Sequence, residues 1–493
     1  MKNSWVFNAL QTELWDSNAW AFILIVAILC GSMMIAHMLK KLIPALNKML
    51  IPASVLGGII VLIFTTIYQL ITKDVFFDLP IFSLDYANNV TGTAVLDTIT
   101  YHCLGIGFVA MGLRQNDKSK SKVNPTDVFN TGVTTVATYL IQAIFGLVVT
   151  ILLTPVVDGL IDAAGIILCL GFGQGTGQAM NFGKSFADQV TIMPDYFLKN
   201  GKDFGLAIAA LGFLAASIGG VIYLNILKRQ GKIQVLDTND VEQINPNEIQ
   251  EKDEIGMNES MDKFTVQLAF VFIVYAGAYG LMHLLKSFFP GNVNLQRTVF
   301  GFNFLLGTLL AVVLKAIFKF LKKKGIVKRR YLNNFMLNRI GGVAFDIMIV
   351  AGISAINLYL IRDYWWVLLI LGAGGTVLTF AFIHMVSKKL HPTYKYEQFF
   401  AMYGMLTGTA STGMILLREI DPKFETPASD NLVYQNLPAI VFGFPIMMLI
   451  QVAQTSRANA ILVLFLIIAF LAVLLTILFR KQIFKKRKKE ETK

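Results

Sequence analysis

Leu170-Gly171-Phe172-Gly173-Gln174-Gly175-Thr176-Gly177-Gln178-Ala179-Met180-Asn181-Phe182-Gly183 follows the apolar run Ala163–Leu170. It nevertheless gathers glycines, two glutamines, a threonine and an asparagine where hydropathy would place membrane. Backbone N–H and C=O groups left unpaired in hydrocarbon cost several kcal/mol each, so non-helical chain at that depth is tolerated only inside protein or beside water. Glycine permits unusual turns there and lets a ligand come close to the backbone. The stretch therefore reads as a helix–break–helix hairpin whose tip holds a substrate or an ion. A helix-packing face competes with this reading, because Gly171/Gly175 and Gly173/Gly177 both fit small-xxx-small spacing. Packing alone does not call for Gln174, Thr176, Gln178 and Asn181, and the hairpin is preferred.

The rest of the chain supplies the membrane. Of 493 residues, 55% are hydrophobic and only 15% charged, where a soluble domain carries about 25% charged residues. Mean hydropathy is +0.61, and apolar runs of roughly 20 residues recur from end to end, which defines an all-α polytopic membrane protein. The net charge of +12 sits in short loops beside those runs, the cytoplasmic bias of membrane proteins, and gives no reason to expect nucleic acid as a partner. Cys30, Cys103 and Cys169 lie in apolar segments without metal-ligand spacing. Lys2 alone makes no basic n-region, so no cleavable signal is expected. The sequence holds no HExxH, no GxSxG and no cluster of acids and histidines at membrane depth, so an enzyme is not expected.

Charge then fixes the course of the chain. Ala19–Met38 runs inward from Trp15 and Trp20 to Lys40 and Lys41, as interfacial aromatics and cytoplasmic lysines require. Ile51–Ile71 returns outward, Val95–Leu113 comes in, and Val128–Leu153 goes out to a loop with Asp158 and Asp162. If Ala163–Gly183 spanned fully, Phe204–Leu227 would end outside, with Lys228, Arg229 and Lys232 following it. A re-entrant hairpin restores the bias. After a polar linker, Phe264–Leu285, Val299–Phe320, Gly341–Leu360 and Trp365–Val386 alternate. The Lys315–Arg330 segment among them has eight basic residues and no acid. A second polar stretch, Gly404-Met405-Leu406-Thr407-Gly408-Thr409-Ala410-Ser411-Thr412-Gly413, meets the same test. Only as a re-entrant hairpin does it leave Lys485–Lys489 inside, after Leu437–Val452 and Ala460–Phe479.

Each half therefore has five crossings and one hairpin in the same order, and an odd number inverts the second half. The expected plan is a first inverted repeat over 1–227 with its hairpin near 163–203, and a cytoplasmic linker over 228–262. A second repeat over 263–455 carries a hairpin near 398–436. An extra C-terminal transmembrane helix and basic tail fill 456–493. Inverted repeats with broken segments at corresponding positions are the plan of secondary transporters.

At the hairpin tips, free N–H groups and the helix dipole suit a carboxylate, with Thr176, Gly177 and Gln178 as candidates beside Gln174, Gly175 and Asn181. Thr407, Thr409, Ser411 and Thr412 offer hydroxyl oxygens for a hard cation, or else serve as ordinary packing residues. Asp346 reads either as part of a cation site or as a carboxylate a turn from the interface, paired with Arg339. Arg418, just past the second hairpin, is a candidate fork for a substrate carboxylate. Asp97, His102 and Arg114 read as interfacial, structural and topological residues respectively.

The motifs Ile51-Pro52 leading to Gly57-Gly58, Met111-Gly112-Leu113, Gly173-x-Gly175-Thr176-Gly177 and Gly404/Thr407–Gly413 resemble those of the bacterial sodium/glutamate symporters, in matching order over nearly the whole chain. Gln174 stands where that family usually has histidine, Ser411 occupies a region that usually carries proline, and Arg114 replaces a small polar residue. The resemblance implies an elevator-like carrier in the bacterial inner membrane, a homodimer in the lipid bilayer. It further implies Na⁺ as coupling ion, no organic cofactor, and a small anionic amino acid such as glutamate as substrate. A carrier of another carboxylate, a proton-coupled carrier or a passive channel are the alternatives.

Overall fold

A computed structural model describes residues 17–85, 90–114, 124–233, 254, 261–291, 293–422 and 425–490. Apolar segments in a membrane must satisfy their backbone internally, and here they do so as helices. The first half holds α1 (Ser17–Leu42), α2 (Pro44–Lys48), α3 (Ala53–Thr72), α4 (Gly92–Leu113), α5 (Pro125–Leu153), α6 (Ile167–Gln174), α7 (Thr176–Asp188), α8 (Gly201–Leu214) and α9 (Gly220–Arg229). The second holds α10 (Lys263–Ser287), α11 (Val293–Gly301), α12 (Asn303–Lys323), α13 (Asn334–Ser354), α14 (Trp365–Leu390), α15 (Lys395–Thr407), α16 (Ala410–Arg418), α17 (Ala428–Tyr434), α18 (Asn436–Ala453) and α19 (Arg457–Glu490). A π-helical turn, Ala215–Gly219, joins α8 to α9.

Ten helices among the described residues are long and apolar enough to cross a membrane. The pair Ala428–Tyr434 and Pro438–Ala453, bent by 50°, makes an eleventh when taken as one span. The protein is therefore a multi-pass helical membrane protein. Some helix starts carry side-chain caps: Asp262 Oδ1 accepts from Phe264 and Thr265 N–H at 2.9 and 3.1 Å, and Asn124 Oδ1 from Thr126 N–H at 3.0 Å.

Both Gly-rich stretches break as expected. Helices of 8 and 13 residues before and after Gly175 are too short to cross a hydrocarbon core roughly 30 Å thick at about 1.5 Å per residue. One expected span is displaced. In place of Gly341–Leu360, α13 begins at Asn334, because Asn333 Oδ1 caps Met336 N–H at 2.8 Å. Asp346 therefore lies near the middle of its helix and not a turn from the interface. The linker 228–262 falls outside the described residues except for 228–233, 254, 261 and 262, as does the loop carrying Lys118, Lys120 and Lys122.

The helices sort into two bodies. In one, α4 packs on α12 and α13, α13 on α3, α3 on α1, and α10 on α12. In the other, α5 sits centrally against α6, α14, α18 and α19, while α6 and α7 pack on α8, and α15 packs on α14 and α16. The seam between them is formed chiefly by α7 and α8 against α4 and α13, with α11 touching α7.

Backbones inside the second body touch. A Cβ on Gly165 would lie 1.9 Å from the Gly146 carbonyl oxygen of α5. Gly165→Ala should therefore force α5 and the entry to α6 apart and destabilise the protein by about 1–3 kcal/mol. Gly280→Ala, in α10 with nothing within 4 Å of its added Cβ, should hold or raise stability, by up to about 1 kcal/mol. Thermal unfolding of both variants in detergent checks this, and equal melting temperatures would contradict the packing described.

Candidate functional site

The two helix breaks meet. Gly175 adopts φ 79°, ψ −169° between α6 and α7, a backbone region essentially reserved for glycine. Gly408 separates α15 from α16. A Cβ on Gly175 would stand 3.5 Å from Thr409 Cγ2 and 3.8 Å from the Gly408 oxygen. Four helix ends thus converge, two presenting N–H groups and two presenting carbonyls.

Side chains satisfy three of these ends. Tyr139 of α5 donates its hydroxyl to Gly173 O at 3.1 Å, near the end of α6. Gln142, one turn further along α5, donates Nε2 to Leu406 O and to Thr379 Oγ1, both at 2.9 Å. Thr409 Oγ1 accepts from Thr412 N–H at 3.4 Å and caps α16. The start of α7 has no side-chain cap. Its first-turn donors, on the buried Thr176, Gly177 and Gln178, have no side-chain cap and give that end its positive potential.

A cavity of about 120 Å³ opens at the breaks, with Gly173, Gln174, Gly408, Thr409, Ser411, Gln435 and Asn436 among its lining. Phe108, Met111, Phe304, Phe345 and Met348 close it from the other body. Among the described residues, no carboxylate, histidine, lysine or arginine lines it.

The candidates read from the sequence divide accordingly. Gln174, Gly175, Thr409 and Ser411 come together at the breaks. Thr176 is buried one residue on, its hydroxyl 3.4 Å from Met348 O. Gly177 packs against Leu104 and Met348. Gln178 is fully buried with neither amide atom partnered. Asn181 lies a turn further out, its buried Nδ2 without an acceptor. Thr407 bonds back to Tyr403 O at 2.7 Å, and Thr412 Oγ1 lies 3.3 Å from Thr409 Oγ1.

Two candidates lie elsewhere. Arg418 is exposed at the far end of α16 and does not line the cavity. Asp346 accepts from Ser54 Oγ of α3 at 2.8 Å, while Arg339 stacks its guanidinium 5.2 Å from the Phe335 ring centre. That Asp346–Ser54 contact replaces the expected pairing with Arg339. His102 Nδ1 meets Tyr275 OH at 2.9 Å, and Asp97 is paired with Lys202 at 3.3 Å.

Sequence reasoning missed α5 as a supporting helix. Asp127, Thr131, Thr135, Thr138 and Gln142 recur at helical spacing inside an apolar run, a polar stripe that is visible in the sequence. From it, Thr135 donates to Gln435 Oε1 at 2.9 Å, and Thr131 accepts from Gln398 at 3.1 Å. Asp127 accepts from Tyr394 OH at 3.0 Å, and the same hydroxyl meets His391 Nδ1 at 2.9 Å. Burial pushes the His391 imidazole down to about 4, outweighing nearby Asp127, so the ring is neutral at pH 7. Asn431 Nδ2 closes the network onto Tyr394 OH and Gln398 Oε1, both at 3.1 Å.

No protein-family model matches the chain, and comparison with curated proteins finds no match.

Gln142→Leu should leave the Leu406 carbonyl and Thr379 hydroxyl without a donor and a partner in a dry setting. The expected loss is about 1–3 kcal/mol, read as a lowered melting temperature of the purified protein. Wild-type melting would mean that Gln142 does not hold the second break.

Proposed function

We propose that the chain is a secondary carrier that couples Na⁺ entry to uptake of glutamate or a similar anionic amino acid across the bacterial inner membrane. In this reading, the body built on α5–α9 and α14–α18 shifts as a unit against α1–α4 and α10–α13, in an elevator-like cycle. One observation carries it: the breaks at Gly175 and Gly408 abut in a cavity whose opposite wall belongs to the other body. A site between two bodies can be exposed to each side of the membrane in turn, which alternating access requires.

The chain order supports the same reading. In each half four spanning helices precede a broken pair, followed by a fifth span in the first half and by the bent pair Ala428–Tyr434 and Pro438–Ala453 in the second; five crossings per half would set the two in opposite orientation. The α19 span follows as an extra.

The lining supports an anion carried together with Na⁺ more than one carried with a proton. Among the described residues it offers no acid or base to take up a proton. It also offers no fixed cation, so an anion would rest on the uncapped start of α7 and on the amides of Gln174, Gln435 and Asn436. A Na⁺ ion would take oxygens from Ser411 and Thr409, and Gln142 Oε1, buried without a donor, is a further oxygen close behind the second break. Hard cations prefer such oxygen ligands.

Uptake of labelled L-glutamate into proteoliposomes tests the reading. Removing Na⁺ should abolish accumulation, and an inside-negative potential should stimulate it. One Na⁺ per monovalent anion carries no net charge, whereas two move a charge that gains about 2.3 kcal/mol per 100 mV. Ser411→Ala should raise the Na⁺ concentration for half-maximal uptake about tenfold, equivalent to about 1.4 kcal/mol, with normal melting because Ser411 caps nothing. Accumulation that persists without Na⁺ would discard sodium coupling.

A further inference from the structure

A second pocket, of about 400 Å³, opens beside α7 on the face that the lysine and arginine distribution assigns to the outside. Asn181, Lys184, Ser185 and Asp188 of α7 line it together with Lys286 and Arg297 from the other body. Positive charge beside the spans is disfavoured on that face, so three cations converging there ask for a cause other than topology. Neither Lys184 nor Lys286 has a carboxylate within salt-bridge distance among the described residues, and Lys286 lies only 5.9 Å from the centre of the Phe300 ring. Arg297 is fixed by neutral acceptors, donating Nη1 to Asp188 O at 3.0 Å and Nη2 to Thr191 Oγ1 at 3.4 Å. Its guanidinium is therefore held in place, with no carboxylate within salt-bridge distance among the described residues. Asp188 is the lone acid of the lining, and nearby Asp97 is already engaged by Lys202 at 3.3 Å.

A second observation links this pocket to the breaks. Asn181 Nδ2 is buried and has no acceptor, and Gln178, three residues deeper, is fully buried with both amide atoms unpartnered. Ser185 reaches Gln454 Oε1 at 3.2 Å. Residues 178, 181 and 185 share one face of a helix by their spacing. They form a polar stripe that runs from the outer pocket to the uncapped start of α7. Beside it, Phe182, Phe302 and Phe444 follow one another with tilted rings, their centres 6.3 and 5.9 Å apart, and Phe444 also lines the central cavity.

We propose that this outer pocket is a second anion site that captures a small carboxylate, such as an amino-acid anion, before it reaches the helix breaks. Convergent cations at a cleft raise the local concentration of an anion, and the effect falls with ionic strength. The assignment rests on the carrier reading for its purpose but not for its binding chemistry.

Equilibrium binding of tritiated L-glutamate to the full-length protein in phosphatidylcholine nanodiscs tests it, with choline chloride replacing Na⁺ where needed. Two classes of binding are expected: a Na⁺-dependent class that Gly175→Val removes, and a Na⁺-independent class that Gly175→Val spares. Lys286→Gln and Lys184→Gln should each weaken the second class about tenfold, as should raising choline chloride from 50 to 500 mM. Absence of that class in the wild-type protein, or its survival at full affinity in both lysine variants, would overturn the proposal. Complete displacement by phosphatidylglycerol added to the nanodisc would identify a lipid-phosphate site and also overturn it. Absence of the Na⁺-dependent class from the wild-type protein, with the second present, would count against the carrier reading and leave the outer site standing.

Discussion

An unpaired peptide group in hydrocarbon has no water to turn to, and the breaks at Gly175 and Gly408 create several such groups at membrane depth. The remainder of the fold is arranged to answer them. Helix α5 lies against both broken pairs and supplies Tyr139 to one carbonyl end and Gln142 to the other. Thr409 caps the start of α16 from within the chain. Of the helix ends at the two breaks, the start of α7 is the one without a side-chain partner among the described residues. The asymmetry matters, because a cap made by the protein would compete with a ligand for the same N–H groups.

The two bodies differ in how they are held. Inside the α5 body, backbones approach so closely that added Cβ atoms would collide with main-chain atoms. This happens at Gly146 against Gly165, at Gly183 against Gly201, and at Gly404 against Gly413. Such contacts allow little sliding, since close-packed interiors transmit strain and do not deform freely. Across the seam the partners are side chains, with Leu104 and Met348 against Gly177 and with Phe108, Phe304 and Phe345 facing the cavity. Methionine and aromatic surfaces tolerate repacking better than backbone-to-backbone contact does. The polar network from Asp127 through Tyr394, Asn431 and Gln398 adds directional bonds within the same body, and its neutral His391 avoids a buried charge.

Composition, period and charge were enough to read the helical membrane class, the helix order and both breaks, because each follows from rules that act locally along the chain. Roughly 20 apolar residues must span, glycines among polar residues at depth must break, and lysines must stay on one side. Gln174, Gly175, Thr409 and Ser411 were legible as residues of the breaks for the same reason, since the glycines and polar residues that mark each break are neighbours in sequence. Other features depended on packing between segments far apart in sequence. These include the meeting of Gly175 with Gly408, the support from Tyr139 and Gln142, and the bond between Asp346 and Ser54. They also include the exclusion of Arg418 from the cavity and the gathering of Lys184, Lys286 and Arg297 at one pocket. A run of residues states what each segment needs from its surroundings. Which neighbour meets that need depends on close approach in three dimensions, where a glycine's missing side chain lets one backbone reach another.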